Sequence, residues 1–220
     1  MKKAPHNENT RVQLPAILHL TRLGYHYFSL KEHANELDKE TNIYKSIFKD
    51  QFLKLNPDAT EDTFEREFIN IKLELNQNDL GRSFFERLLG KGNSEYRLID
   101  WEIFNHNTFH VASEVPCINE EEEFRPDITV FINGLPLSYI EVKQPNIIRD
   151  VVTGIQSEFN RQGERFRNKK FRRFHNITQL LAFSDNLVYD ETLGFQMQGS
   201  YYATTSLSNA KFNAFKEERW

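Results

Sequence analysis

The stretch Arg125-Pro-Asp-Ile-Thr-Val-Phe-Ile-Asn-Gly-Leu-Pro-Leu-Ser-Tyr-Ile-Glu-Val-Lys143 holds two β-branched, aromatic-rich runs joined by Asn133-Gly134. Asn-Gly between such runs is a strong short-range signal for a β-hairpin, so a sheet is fixed here. The hairpin carries Asp127, Glu141 and Lys143. Glu141 and Lys143 are two residues apart and share one strand face. The face of Asp127 depends on the turn. A two-residue loop sets Ile132 against Leu135 and Asp127 against Ile140, on the wrong face. A three-residue loop ending in Leu135 sets Ile132 against Pro136 and Asp127 against Glu141, and a bulge has the same effect on parity. The expectation adopted is the odd-parity geometry, with all three polar groups converging.

The rest of the chain is long enough, at 220 residues, to bury a substantial core, and nineteen Phe supply bulky material for it. Cys117 is the single cysteine, which excludes a disulfide framework and a cysteine-based zinc site and suits a reducing, cytoplasmic setting. The opening Met-Lys-Lys-Ala-Pro-His-Asn-Glu-Asn has no apolar segment after its lysines, so it does not read as a signal peptide. No apolar run approaches the roughly 18 residues of a membrane span, and no membrane partner is expected. The formal net charge of −4 conceals an asymmetry. Residues 1–31 carry five Lys/Arg against one acid, residues 32–123 ten against twenty-one, and residues 124–220 thirteen against ten. A basic stripe for nucleic acid is offered only in the last third.

Helical spacing predicts helices over about 11–23, 42–55, 61–76 and 79–89. In the first, Thr10 is the expected cap, Pro15 suits the first turn, Gly24 ends it, and Leu14, Ile17 and Leu18 share a face. Residues 25–29 suit a short strand. Tyr44, Phe48, Phe52 and Leu55 line the second helix; Phe64, Phe68, Ile71 and Leu75 line the third. Gly90-x-Gly92 lacks the residues of a phosphate loop and reads as a turn. From Tyr96 the period changes towards 2, predicting strands over Arg97–Phe104 and Thr108–Val115 around an Asn105-His-Asn turn. Glu120 to Glu123 read as a solvated loop; a metal trap there lacks geometric order.

After the hairpin, Pro145 ends the strand and a long helix is predicted from about Val151 to Lys170. Ile155, Phe159, Gln162 and Phe166 form its coherent face, so Gln162 points at whatever the helix packs upon. Beside that face lie Arg161, Arg165, Lys169 and Arg172. Seven of the thirteen residues 161–173 are Lys or Arg and only Glu164 is acidic, a candidate clamp for DNA phosphates as well as a solvated face. Short apolar runs at Ile177–Ser184, Leu187–Tyr189, Phe195–Met197 and Tyr201–Thr205 suit further strands. The pattern predicts an α/β fold, a central mixed β-sheet flanked by helices. One domain is expected over 1–220, with a mainly helical subdomain over about 1–95 and the sheet core over about 96–210.

Two carboxylates on neighbouring strands make a hard-oxygen site suited to Mg²⁺, which prefers one or two carboxylates plus waters and phosphate oxygens. The Val142 carbonyl, between Glu141 and Lys143, offers a further ligand. A lysine beside such an ion adds a point charge for a nucleophilic water or a phosphodiester transition state. Those parts describe a hydrolytic phosphodiesterase. Against it, Glu-x-Lys is a common tripeptide and often a surface ion pair. Pro-Asp also recurs at Pro57-Asp58, where nothing supports chemistry. Here the charges sit where the flanking residues demand a buried strand. His106, His110 and His175 are assigned no catalysis.

Pro126-Asp127, thirteen residues and Glu141-Val-Lys143 resemble the PD-(D/E)xK nuclease superfamily. Arg125-Pro-Asp…Phe131-Ile-Asn-Gly-Leu-Pro-Leu137…Ile140-Glu-Val-Lys143 resembles more closely the N-terminal nuclease domain of type I restriction enzyme R subunits. The likeness extends through Leu98-Ile-Asp-Trp101 and Asn107-x-Phe109-x-Val111 to the segment carrying Gln162, covering about 95–185 well and the N-terminal helices loosely. It implies a restriction-endonuclease-like core in which Asp127 and Glu141 bind the divalent metal and Lys143 is the catalytic lysine. Mg²⁺ is the implied ion, with Mn²⁺ as a substitute. The family's Gln-xxx-Tyr element matches Gln162-Gly-Glu-Arg-Phe166, so Gln162 is a catalytic candidate and Phe166 lacks the tyrosine hydroxyl. The resemblance further implies double-stranded DNA as substrate, partner specificity and methylation subunits, and an ATP-driven translocase region absent from these residues. The chain is therefore expected to be a piece of a longer polypeptide. Two rival readings differ in outcome. A stand-alone repair or junction-resolving nuclease would come from a gene ending near Trp220. A non-catalytic DNA-binding module would retain DNA regardless of Asp127 and Lys143.

Overall fold

A computed structural model of the chain describes residues 12–92, 94–143, 161–165, 167–184, 200–204 and 213–214. Several expectations lie outside the described residues: the Thr10 cap, Pro145, residues 151–160 of the long helix, Phe166, and the runs Leu187–Tyr189 and Phe195–Met197. The described strands are β1 (His26–Tyr27), β2 (Phe109–Ser113), β3 (Cys117–Asn119), β4 (Glu122–Phe124), β5 (Ile128–Ile132), β6 (Leu135–Val142), β7 (Leu180–Ser184), β8 (Ser200–Thr204) and β9 (Asn213–Ala214). Among the described residues, seven of them form one sheet in the order β1-β2-β5-β6-β7-β8-β9, and β3 pairs with β4 apart from it. The sheet is mixed, as the sequence predicts: β1/β2 and β6/β7 run parallel, the other pairs antiparallel. A parallel β6/β7 pair needs a crossover, and the helical residues 161–165 and the helix Arg172–Ile177 lie within it.

The hairpin reaches the expected parity by a different route. Its loop has two residues, since Ile132 pairs with Leu135. Asn133 and Gly134 both have positive φ, 52° and 80°, as a type I′ turn requires. The three-residue loop is thus corrected. Further along, Phe131 pairs with Pro136 but Val130 pairs with Ser138, so Leu137 is an extra residue in β6. Pro136 has no N–H to donate, and proline inside a sheet is confined to edges and bulges, which accounts for the irregularity here. The bulge shifts the alternation by one, and Ile128 then pairs with Ile140. Carried one step past the end of β5, that register would set Asp127 opposite Glu141.

The extra Leu137 is not wasted. It is buried in a core shared with Leu135, Leu98, Ile99, Ile177 and three helices. Those helices are α3 (Lys45–Leu55), α4 (Glu61–Glu74) and α5 (Arg82–Leu88), preceded by α1 (Leu14–Arg22) and the short α2 (Leu30–His33). Burying one such leucine is worth about 1.5–3 kcal/mol, which helps to hold the bulge in register. Phe48, Phe52, Phe64, Phe68, Ile71 and Leu75 are all buried in this layer, on the stripes the spacing predicts. Thr60 caps α4 by accepting from the Thr63 N–H.

Gly134 ties the hairpin tip to α3. Its carbonyl accepts from the Tyr44 N–H at 2.9 Å. A Cβ there would stand 2.7 Å from the Tyr44 carbonyl oxygen and 2.9 Å from the Phe48 nitrogen, both backbone. Gly134→Ala therefore meets a left-handed φ and a clash that no rotamer relieves. We expect it to lower unfolding free energy by at least about 2 kcal/mol in a urea titration. An unchanged midpoint would contradict this packing.

Three other expectations need correction. Residues 97–104 are not a strand. Asp100 Oδ1 accepts from the N–H groups of Glu102 and Ile103, and the Asn107 side chain bonds both N–H and C=O of Asp100. Such side chains offer the backbone partners that replace a ladder. The buried Asn133 amide adds bonds to the Leu98 carbonyl and to Asn107 Oδ1, so the hairpin tip anchors this loop. On α1, Ile17 is buried but Leu14 and Leu18 are 47% and 52% exposed; Val12 and Gln13 take the inward positions instead. Finally, Glu120 to Glu123 are all exposed, as expected, but only Glu120 and Glu121 are loop. The four form the turn and first residues of the β3/β4 hairpin, with Glu120 and Glu122 paired to Lys170 at 3.2 and 3.0 Å.

Candidate active site

The site forms where β5 begins and β6 ends. Asp127 stands one residue before β5, and β6 runs past it to Val142. The Val142 N–H donates to Asp127 Oδ2 at 2.7 Å, fixing the carboxylate against the neighbouring strand. Val142 N–H and C=O point to the same side of a strand, and on that side β5 has already ended. The Val142 carbonyl instead accepts from the Lys143 ammonium at 3.0 Å, and the same ammonium lies 3.8 Å from Asp127 Oδ2. Asp127 and Lys143 are partly exposed, at 17% and 23%. Glu141 is buried, and its Oε1 accepts from Gln162 Nε2 at 3.1 Å; Gln162 itself has no exposed surface.

The structure thus joins Asp127, Val142 and Lys143 in one set of contacts and Glu141 and Gln162 in another, on adjacent residues of β6. A cation already sits between two of the oxygens nominated as metal ligands, because the Lys143 ammonium bridges Val142 O and Asp127 Oδ2. Among the described residues no group of three or more His, Cys, Asp or Glu gathers to hold an ion. The donors present are two carboxylates and a carbonyl, all hard oxygens. Such a set fits a divalent ion that keeps waters and takes phosphate oxygens for its remaining positions, which is how Mg²⁺ is held.

The four basic residues nominated for DNA do not form one stripe. The expected helix to Lys170 breaks at Asn168, whose extended backbone and side chain start a 3₁₀ turn over Lys169–Phe171. Arg161 and Lys169 are exposed. Arg165 lies over the Phe124 ring at 4.5 Å, and Arg172 donates to the Asn76 carbonyl at 3.1 Å. Those last two are drawn into the fold itself.

The three histidines weighed in the sequence have local partners or burial of their own. Burial, with Arg165 nearby, pushes His175 down to about 3, and it stacks on Phe124 at 5.4 Å. Burial, with His26 and His33 adding to it, lowers His110 to about 4. His106 bonds Asp100 at the surface. Burial pushes the Cys117 thiol up to about 12, so it stays protonated.

Two residues beside the site escaped the sequence reading. Gln13 Nε2 donates to the Asp127 carbonyl at 2.8 Å and to Glu114 Oε1 at 3.1 Å. Glu114, in a left-handed conformation at φ 55°, gives its own N–H to the same carbonyl at 3.2 Å. A faint signal exists for Gln13, which precedes the buried Ile17 by one helical step of four.

Residues 5–212 match the family described as Type I restriction enzyme R protein N terminus. A Methanocaldococcus jannaschii protein named as the endonuclease subunit of the type I restriction enzyme MjaIXP is 33% identical over 213 residues, covering 85% of this chain and 20% of that protein. The Staphylococcus aureus (strain COL) type I restriction enzyme SauCOLORF180P endonuclease subunit is 27% identical over 179 residues, covering 76% of this chain and 17% of itself. The chain spans about a fifth of the length of these relatives. No helix among the described residues is long and apolar enough to cross a membrane. A family match over nearly the whole chain, together with a mixed sheet flanked by helices, leads to one conclusion: the chain belongs to the type I restriction enzyme R protein N-terminal family.

Proposed function

We propose that this chain cuts phosphodiester bonds of double-stranded DNA as the nuclease part of a type I restriction enzyme R subunit, with Mg²⁺ as its ion and Mn²⁺ as a working substitute. The observation that supports the reading is the seat of the Asp127 carboxylate, which accepts the Val142 N–H and lies 3.8 Å from the Lys143 ammonium, against the strand that carries Glu141 and whose parity the bulge at Leu137 sets. A divalent ion bound there lowers the pKa of a water and neutralises charge building on the phosphate. Asp127, Glu141 and the Val142 carbonyl would hold it. Gln162 orients the Glu141 carboxylate through its amide. Lys143 places positive charge where the attacked phosphate accumulates negative charge. Arg161 and Lys169, both exposed in the crossover between β6 and β7, contact the DNA backbone and read no bases.

The names of the relatives, all endonuclease subunits, support the same reading. In this reading specificity and methylation subunits choose the site, and ATP acts through a translocase region outside these residues, in the cytoplasm. The test is nicking of a plasmid by the assembled complex. Cleavage should require Mg²⁺ or Mn²⁺, vanish in EDTA, and be lost in Asp127→Asn and Glu141→Gln while DNA retention persists. Cleavage that survives EDTA or both substitutions would end this reading in favour of a metal-free or displaced site.

A further inference from the structure

Asp127 is gripped on both flanks. On the β6 side its carboxylate accepts the Val142 N–H at 2.7 Å. On the β2 side its carbonyl accepts twice, from the Glu114 N–H at 3.2 Å and from Gln13 Nε2 at 2.8 Å. A carbonyl has two lone pairs, so that oxygen is fully used. Gln13 is 5% exposed, and the chain spends this buried amide on a residue 114 positions away. The second hydrogen of the same amide nitrogen goes to Glu114 Oε1 at 3.1 Å. Because both neighbours are acceptors, the group facing them is the NH₂ end.

Pro126 precedes Asp127 and has no N–H of its own to anchor this corner. Glu114 meanwhile stands in a left-handed conformation that is unfavourable for a non-glycine residue, a distortion the surrounding bonds must sustain. β5 begins only at Ile128, so Asp127 lies outside its regular ladder, and these flanking bonds set its backbone.

We propose that Gln13, oriented by Glu114, is a positioning residue for the metal-binding carboxylate of Asp127, and so couples the start of α1 to the cutting site. The inference rests on the proposed nuclease reading. Gln13 touches no reacting atom in it. It fixes the main chain from which the Asp127 carboxylate projects, as partners behind a metal ligand do when they tune affinity.

The experiment measures Mn²⁺ binding by electron paramagnetic resonance, and Mn²⁺-dependent nicking, on the full-length protein in its complex. In Gln13→Leu the Mn²⁺ concentration for half-saturation should rise about tenfold, the low end of such effects, with turnover at saturating Mn²⁺ kept within about twofold. Without metal, exchange of the Glu114 amide hydrogen should quicken, because its acceptor is loosened. Glu114→Ala, at an exposed position that does not threaten folding, should shift half-saturation the same way by about threefold, since it removes only the group that orients the amide. Unchanged half-saturation in Glu114→Ala, or in a folded Gln13→Leu, would overturn the proposal, as would lost turnover that added Mn²⁺ does not restore. Wild-type protein that binds no Mn²⁺ would instead remove the nuclease reading itself.

Discussion

Lys143→Ala in the assembled complex is expected to cut DNA at least about a hundredfold more slowly at saturating Mn²⁺, the usual cost of losing one charge-stabilising donor. Mn²⁺ binding should remain, because the ligands assigned to the ion are Asp127, Glu141 and the Val142 carbonyl. The Lys143 ammonium stands 3.0 Å from Val142 O and 3.8 Å from Asp127 Oδ2, at the mouth of the site and partly exposed. A compact point charge on a flexible stem can move from those oxygens to a phosphate when a metal arrives. Lys143→Arg should recover little, since a planar guanidinium is larger and hydrogen-bonds in a fixed fork. Single-turnover nicking with purified variants decides the matter. Rates within threefold of wild type for Lys143→Ala would leave the lysine as a plain ion-pair partner.

The second large effect concerns stability. Arg87 on α5 is 4% exposed and lies between two acids of α4. Its Nε and one terminal nitrogen bond both Glu74 oxygens at 2.7 Å, and the other terminal nitrogen bonds Glu67 Oε2 at 2.6 Å. Arg87→Met keeps most of the bulk but strands two largely buried carboxylates, which should cost about 3–5 kcal/mol at pH 7. The pH dependence follows from Glu67. Burial raises its pKa, but the Ser94 hydroxyl, the Arg87 guanidinium and Asn70 outweigh that and leave it below the ordinary carboxylate value. A carboxylate lowered on folding stabilises the protein fully above its unfolded pKa of about 4.3, and that contribution fades as pH falls through the folded value. In Arg87→Met the guanidinium is gone, so burial carries more weight and the acid takes up its proton at higher pH than in wild type. The stability gap should therefore be widest near neutrality and narrow on acidification towards pH 4. Urea midpoints at the two pH values test this. A gap that is constant with pH would mean the triad contributes through shape and not charge.

Arg87 also illustrates how far the sequence could be read. The α4 stripe of Phe64, Phe68, Ile71 and Leu75 was legible because helical periodicity is local and all four residues are buried. Nothing local marked Arg87 as different from Arg82, which is exposed and pairs with Glu86 at 3.0 Å. One lies within α5's buried face and the other outside it, and only the packing of α5 on α4 makes the distinction.

The basic segment within the crossover shows the same limit. Seven cations in thirteen residues suggested a single helical stripe, yet the side chain of Asn168 accepts from the Lys170 N–H and turns the chain there. Phe124 and Asn76, distant in sequence, then claim Arg165 and Arg172.

What the sequence determined by itself was whatever depends on near neighbours. Asn133-Gly134 marked a tight hairpin turn because both residues tolerate positive φ, although its two-residue length came from the fold, and strand alternation gave Glu141 and Lys143 a common face. The helical stripes and a mixed α/β sheet were legible for the same reason. Tertiary structure decided the rest. Whether Asp127 joined that face turned on one extra residue in β6, placed by Pro136's missing donor and kept by the burial of Leu137 among α3, α4 and α5. The hold of Gln13 on Asp127, across 114 positions, likewise exists only once the chain has folded back on itself, because hydrogen bonds answer to distance in space and not along the chain.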